Sequence, residues 1–86
     1  MMFVCVKVEY FGKFKERAGV AEEEIVLGED IHNAHNSLRA YLKTKYSIEH
    51  RYMIILDNVH IQKALKENQQ VLAGSVVKIV PYLSGG

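Results

Sequence analysis

Phe3-Val4-Cys5-Val6-Lys7-Val8-Glu9-Tyr10-Phe11 is the stretch on which the fold turns. Val4, Val6, Val8 and Tyr10 fall on one face and Cys5, Lys7 and Glu9 on the other, the period-two signature of a half-buried strand. Gly12 ends it. Residues 13–17 then read as a basic, mixed-charge connection, and Gly19 punctuates the return into a second strand, Glu23-Glu24-Ile25-Val26-Leu27. The two strands are expected to form a hairpin with a long connection. Gly28-Glu29-Asp30 supplies a turn and an N-cap, after which Ile31, Ala34, Leu38, Tyr41 and Leu42 recur at helical spacing to about Lys45. Acids at the start of this helix and Lys43 and Lys45 near its end suit the helix dipole. Its apolar stripe needs a sheet to cover.

Tyr52-Met53-Ile54-Ile55-Leu56 is short and continuously apolar, which predicts a central strand buried on both faces, with Asp57-Asn58 as its turn. Residues 60–68 stay open: Ile61, Ala64 and Leu65 suit a short helical turn, while Gln62 and Lys66 decide nothing. Ala73-Gly74-Ser75 marks a tight turn before the last strand, Val76 to Val80. Pro81, the one proline, lacks a ladder donor and is expected to stop regular pairing. The fold class expected is α+β, with the element order of a ubiquitin-like β-grasp: a mixed sheet of four to five strands and one main helix packed across one face. Residues 1–80 would form that domain and 81–86 a flexible C-terminal tail ending in Gly-Gly.

Eighty-six residues suit one domain with one core. With 49% apolar and 24% charged residues the composition is that of a soluble globular domain. Lys+Arg 11 against Asp+Glu 10 gives a net charge of +1, so no overall field favours nucleic acid or an anionic membrane. A single cysteine, Cys5, fits a reducing compartment. The apolar start breaks at Lys7, too early for a signal peptide or membrane span, and the expected location is cytoplasmic.

Val80-Pro81-Tyr82-Leu83-Ser84-Gly85-Gly86 closes the sequence on a glycine carboxylate with no side chain within two residues of it. With the opening strand running into Gly12-Lys13-Phe14-Lys15-Glu16-Arg17-Ala18-Gly19, and with the single long helix, this ending resembles the small ubiquitin-like sulfur carriers of the MoaD/ThiS type. The branch it is most similar to is the small subunit of molybdopterin synthase. That family usually ends in Pro-Pro-Val-Ser/Thr-Gly-Gly; Pro81, Ser84, Gly85 and Gly86 match, Leu83 is a conservative variant and Tyr82 replaces a proline. Where the family commonly has Asp-Gly-Asp before the last strand, this chain has Ala73-Gly74-Ser75. The length and the extended connection favour the molybdopterin branch over the shorter thiamine-type carriers.

The resemblance implies a chemistry. The Gly86 carboxylate attacks the α-phosphate of ATP in a separate, ubiquitin-activating-like adenylyltransferase, sulfur from a persulfide donor displaces AMP, and the thiocarboxylate enters the large synthase subunit to sulfurate a cyclic pyranopterin phosphate. The carrier binds no cofactor or metal of its own and is not itself an enzyme; ATP is used by the activating partner. The residues fit this. An α-carboxyl group with pKa ~3.5 is ionised at neutral pH and needs no neighbouring base. Gly85 and Gly86 lack a Cβ and can pass where a branched side chain would block, and six residues from Pro81 reach ~20 Å when extended. Alternatives that share the carboxylate activation are a carrier for thiamine or tRNA thiolation and a ubiquitin-like modifier joined to lysines; an interaction module with an inert tail is a third.

Phe11, Val80, Tyr82 and Leu83 would cluster near the tail if the first and last strands are neighbours, as an apolar docking patch; the plainer alternative is that Phe11 and Val80 complete the core edge. Cys5 lies mid-strand without an activating base and reads as a packing residue. His32 and His35 share a helical face without a carboxylate or cysteine to complete a metal site. His50, Arg51 and His60 read as surface residues, and Lys13, Lys15 and Arg17 as a solvated basic cluster.

Overall fold

The computed structural model describes residues 2–82. Strand β1 (Phe3–Tyr10) follows its alternation: Val6, Val8 and Tyr10 are buried, and Phe3 and Cys5 are exposed. The segment read as a plain connection is instead a short helix, α1 (Lys13–Ala18). Phe14 is the reason, since it is buried and meets the Tyr52 ring edge-on at 6.0 Å. Gly12 and Gly19 bracket the helix with φ of 57° and 77°, conformations that a side chain disfavours. One buried position in six residues leaves no period to detect.

Strand β2 (Glu22–Gly28) pairs antiparallel with β1 in the register Val4↔Leu27, Val6↔Ile25 and Val8↔Glu23. Asp30 caps the long helix α2 (Ile31–Tyr46) as expected, its Oδ2 accepting the Asn33 N–H at 2.9 Å. Ile31, Ala34, Leu38 and Leu42 form the buried stripe of α2. Strand β3 (Tyr52–Leu56) corrects the expectation of two buried faces: Ile54 and Leu56 are buried, whereas Met53 and Ile55 are only half-buried. Asp57 and Asn58 both take positive φ, 46° and 68°, the pattern of a type I′ hairpin turn, and lead to β4 (Val59–His60). The ambiguous segment that follows is α3 (Ile61–Lys66), started by His60, whose Nδ1 accepts the Gln62 N–H at 3.1 Å. Strand β5 (Val76–Pro81) completes the sheet.

The strand order is β2-β1-β5-β3-β4, with β5 parallel to β1 and antiparallel to β3. This is the expected mixed sheet, in its five-stranded form, with α2 as the main helix. The core runs from Val6 to Ile79 on one face. The other face carries Phe3, Cys5 and Val26, all exposed. Among the described residues no helix is long and apolar enough to cross a membrane.

The Val8↔Glu23 pairing turns one carboxylate of an acidic run inward. Glu23 accepts hydrogen bonds from Tyr10 (2.6 Å), Tyr46 (2.7 Å) and Tyr41 (3.0 Å), with Lys45 Nζ at 3.5 Å. Tyr46 meets Tyr10 and Tyr41 edge-on at 5.6 and 6.1 Å. Burial pushes the Glu23 carboxyl up, but the three hydroxyls and Lys45 outweigh it and hold the group below its usual range. Burial and the same contact push the Tyr10 hydroxyl up, and that of Tyr46 to about 12.

Glu23→Ala is therefore expected to cost about 1.5–3 kcal/mol, the usual range for hydrogen bonds to a charged group. The pH dependence has two limbs. The carboxylate's share is present above the unfolded pKa of about 4.3 and is lost as pH falls through the lower folded value. The share of Tyr10 and Tyr46 is present below about pH 10 and is lost as pH rises through their raised folded values. Urea titrations across pH should show both limbs flattened in Glu23→Ala.

Candidate functional site

β5 ends at Pro81, beside the residues expected to form the tail. Ile79 is fully buried and its carbonyl accepts the Phe11 N–H at 3.0 Å, the last bond joining this part of β1 to β5. The next bond of a parallel ladder would need an N–H on residue 81, which proline lacks. Pairing with β1 accordingly ends at Tyr10↔Ile79. On the other side it does not end there: Pro81 pairs with Tyr52 of β3, and the Tyr82 N–H donates to the Arg51 carbonyl at 3.4 Å. Pro81 thus stops one ladder and tolerates the other, a correction to the expectation that it ends regular pairing.

The Pro81 ring lies against Gly12. A Cβ on Gly12 would stand 3.0 Å from Pro81 Cγ, and Gly12 has φ 57° and ψ −135°. Only glycine is at ease in that conformation. Gly12, read as a strand terminator, also leaves room for the Pro81 ring. Gly12→Ala is expected to destabilise the domain by roughly 1–3 kcal/mol through backbone strain, seen as a lower urea midpoint with an unchanged slope.

Phe11, 41% exposed, and half-buried Val80 continue the outward-facing positions of adjacent strands, so neither completes the core edge. Tyr82 is 60% exposed beside them. Leu83, Ser84, Gly85 and Gly86 lie outside the described residues. The turn before β5 keeps its glycine at φ 84°. Ser75, buried, closes the turn twice: its N–H donates to the Leu72 carbonyl at 3.0 Å, and its Oγ accepts the Leu72 N–H at 3.1 Å. A side-chain acceptor survives where the resembling family commonly carries an acid.

The sequence matches the profile of the ThiS family over residues 8–86. The chain belongs to the ThiS family. A molybdopterin synthase sulfur carrier subunit from Chlamydomonas reinhardtii is 34% identical over 91 residues, covering 94% of this ThiS-family chain and 98% of the relative. Among solved structures, the small archaeal modifier protein 1 of Methanosarcina acetivorans superposes over the full length of both chains with a TM-score of 0.64 at 22% identity. A Pyrococcus furiosus protein described as a molybdopterin converting factor, subunit 1, reaches 0.69 at 24% identity, over 93% of this chain and 99% of its own. These structural likenesses establish the ubiquitin-like β-grasp fold, as the element order implied.

Cys5 is exposed on the uncovered sheet face, and its Sγ donates to Glu24 at 3.4 Å; that contact, with burial and the Glu24 charge, pushes the thiol up, away from the reactive thiolate. His32 is exposed and His35 half-buried, with burial first and the Arg39 and His32 charges next in holding His35 below its usual range. Among the described residues no three His, Cys, Asp or Glu side chains converge as metal ligands. The reading of single residues missed the clefts beside the tail root. One, of about 530 Å³, is bordered by Tyr82, Arg39 and Arg51; another, of about 170 Å³, by Lys13, Arg17, His50 and Arg51. These cations come from three separate segments, and only the fold brings them together.

Proposed function

We propose that this ThiS-family chain is the sulfur-carrier subunit of a molybdopterin synthase, delivering sulfur on its terminal glycine. The observation that carries this reading is the 34% identity to a molybdopterin synthase sulfur carrier subunit along nearly the whole of both chains. In the proposed cycle a Gly86 carboxylate oxygen attacks the α-phosphorus of ATP in a separate adenylating enzyme, forming the acyl-adenylate and releasing pyrophosphate. A persulfide sulfur then adds to the acyl carbon and AMP leaves; reductive cleavage of the resulting acyl disulfide by a second thiol frees the thiocarboxylate. That group carries its sulfur to a cyclic pyranopterin monophosphate in the large synthase subunit, and hydrolysis returns the carboxylate. The folded body contributes no acid, base or cofactor to these steps.

The geometry at the tail root supports this division of labour. β5 leaves the middle of the sheet, with Phe11, Val80, Pro81 and Tyr82 grouped where it does so. Phe11 and Val80 would meet the partner while residues 83–86 reach inward. Incubating the thiocarboxylated chain with the large subunit and cyclic pyranopterin monophosphate should yield molybdopterin. Isopeptide adducts to lysine, with no sulfur reaching the pterin, would point instead to a ubiquitin-like modifier and count against the proposal.

A further inference from the structure

Positive charge gathers on one side of the end of β5. Arg51 is held at φ 66°, a left-handed conformation uncommon for a long side chain and frequent at functional positions. Its carbonyl receives the Tyr82 N–H, which places this residue at the point where the chain departs from β3, and its side chain borders both clefts. Lys13 and Arg17 of α1 join it in the smaller cleft and Arg39 of α2 in the larger. Arg17 donates to the Ser47 carbonyl at 3.5 Å, tying α1 to the loop that carries Arg51. All four cations are exposed, and among the described residues none is in an ion pair.

Acids are fewer beside these clefts. Glu49 borders both clefts, but Lys43 Nζ stands 3.8 Å from its carboxylate. Glu22, Glu23 and Glu24 collect on β2, an edge strand separated from β3 by β1 and β5. Lys7 and Lys45 stand 3.6 and 3.5 Å from Glu22 and Glu23, so the charge excess is local: Lys13, Arg17, Arg39 and Arg51 against Glu16 of α1 and the paired Glu49. A short charge run in sequence is ordinarily only solvated. Four long cations from three segments form a rim bordering two clefts that share Arg51, and Tyr82 lines the larger of the two.

We propose that this rim docks against an acidic collar of Asp and Glu side chains around the opening through which an adenylating enzyme receives the tail, with Arg51 as its specificity-determining residue. This rests on the reading of the terminus as a delivered carboxylate. Complementary charge orients the domain before the tail threads, acting chiefly on the association rate and its salt dependence. The test is ATP–pyrophosphate exchange by the cognate adenylating enzyme, measured against concentration of the full-length carrier at several ionic strengths. Arg39→Glu/Arg51→Glu should raise the half-saturating carrier concentration about tenfold or more at low salt, leave the maximal rate unchanged, and approach wild type as salt screens the rim. Lys63→Glu/Lys66→Glu, an equal charge reversal at two exposed residues bordering neither cleft, should stay near wild type. The melting curve of the arginine double variant checks that it is folded. Wild type and arginine double variant saturating alike at low salt, or a loss independent of salt, would overturn the rim. Failure of the wild type to be adenylated at all would overturn the reading of the terminus and the rim with it.

Discussion

Removing Gly85 and Gly86 is expected to abolish sulfur transfer completely while leaving the melting temperature of the domain unchanged. The two halves have separate physical grounds. The proposed chemistry needs the terminal carboxylate at the end of an unbranched segment, and no other group in the chain supplies an acyl carbon at that place. The core side chains run from Val6 to Ile79, so among the described residues none beyond Ile79 belongs to the core. Gly85→Val is the sharper variant, because it keeps a terminal glycine carboxylate and adds only a branched side chain. It is expected to lower adenylation on the order of 10²-fold, the scale of a misplaced reacting group. Pyrophosphate exchange and a thermal melt, run on the same samples, check both halves. Full transfer after deletion would mean that the tail is inert.

Ile79→Ala is expected to have the largest effect on stability. Ile79 is fully buried on the central strand β5, its register partners are Tyr10 on β1 and Ile54 on β3, and its carbonyl accepts the Phe11 N–H. Truncation of a buried isoleucine costs about 2–5 kcal/mol, against a total of roughly 0.05–0.15 kcal/mol per residue. At about 4–8 °C per kcal/mol for a domain of this size, the melting temperature should fall by roughly 8–40 °C. The defect is in holding the tail root, not in the carboxylate. At a temperature where the variant remains folded, its adenylation should therefore recover, and differential scanning calorimetry paired with pyrophosphate exchange separates the two effects.

Much of the fold was legible because its main elements carry strong local signals. β1 shows strict alternation, α2 has both a helical stripe and a capping Asp30, and Pro81 and Gly74 mark the limits of β5. The misses share a cause: they depend on one residue or on pairing between distant segments. α1 has one buried residue, Phe14. The outer face of β3 is half-exposed because no helix crosses it, which a continuous apolar run cannot reveal. Glu23 reads as one acid among three until the β1–β2 register turns it toward three tyrosines. At the candidate site, Pro81 and the terminal glycines stood out by residue type. The seat of the tail against Gly12 and the convergence of Arg39, Arg51, Lys13 and Arg17 did not, since each joins positions far apart in sequence.

The terminal carboxylate of this ThiS-family chain is expected to become a thiocarboxylate. Intact-mass spectrometry tests it most directly, on the full chain incubated with its cognate adenylating enzyme, ATP, a persulfide donor and a reducing thiol. The expected spectrum contains a second species heavier by the difference between sulfur and oxygen, with fragmentation placing the change at Gly86 and its loss when ATP is omitted. A single unmodified mass, from a mixture in which pyrophosphate exchange shows the adenylating enzyme to be acting on this chain, would contradict it.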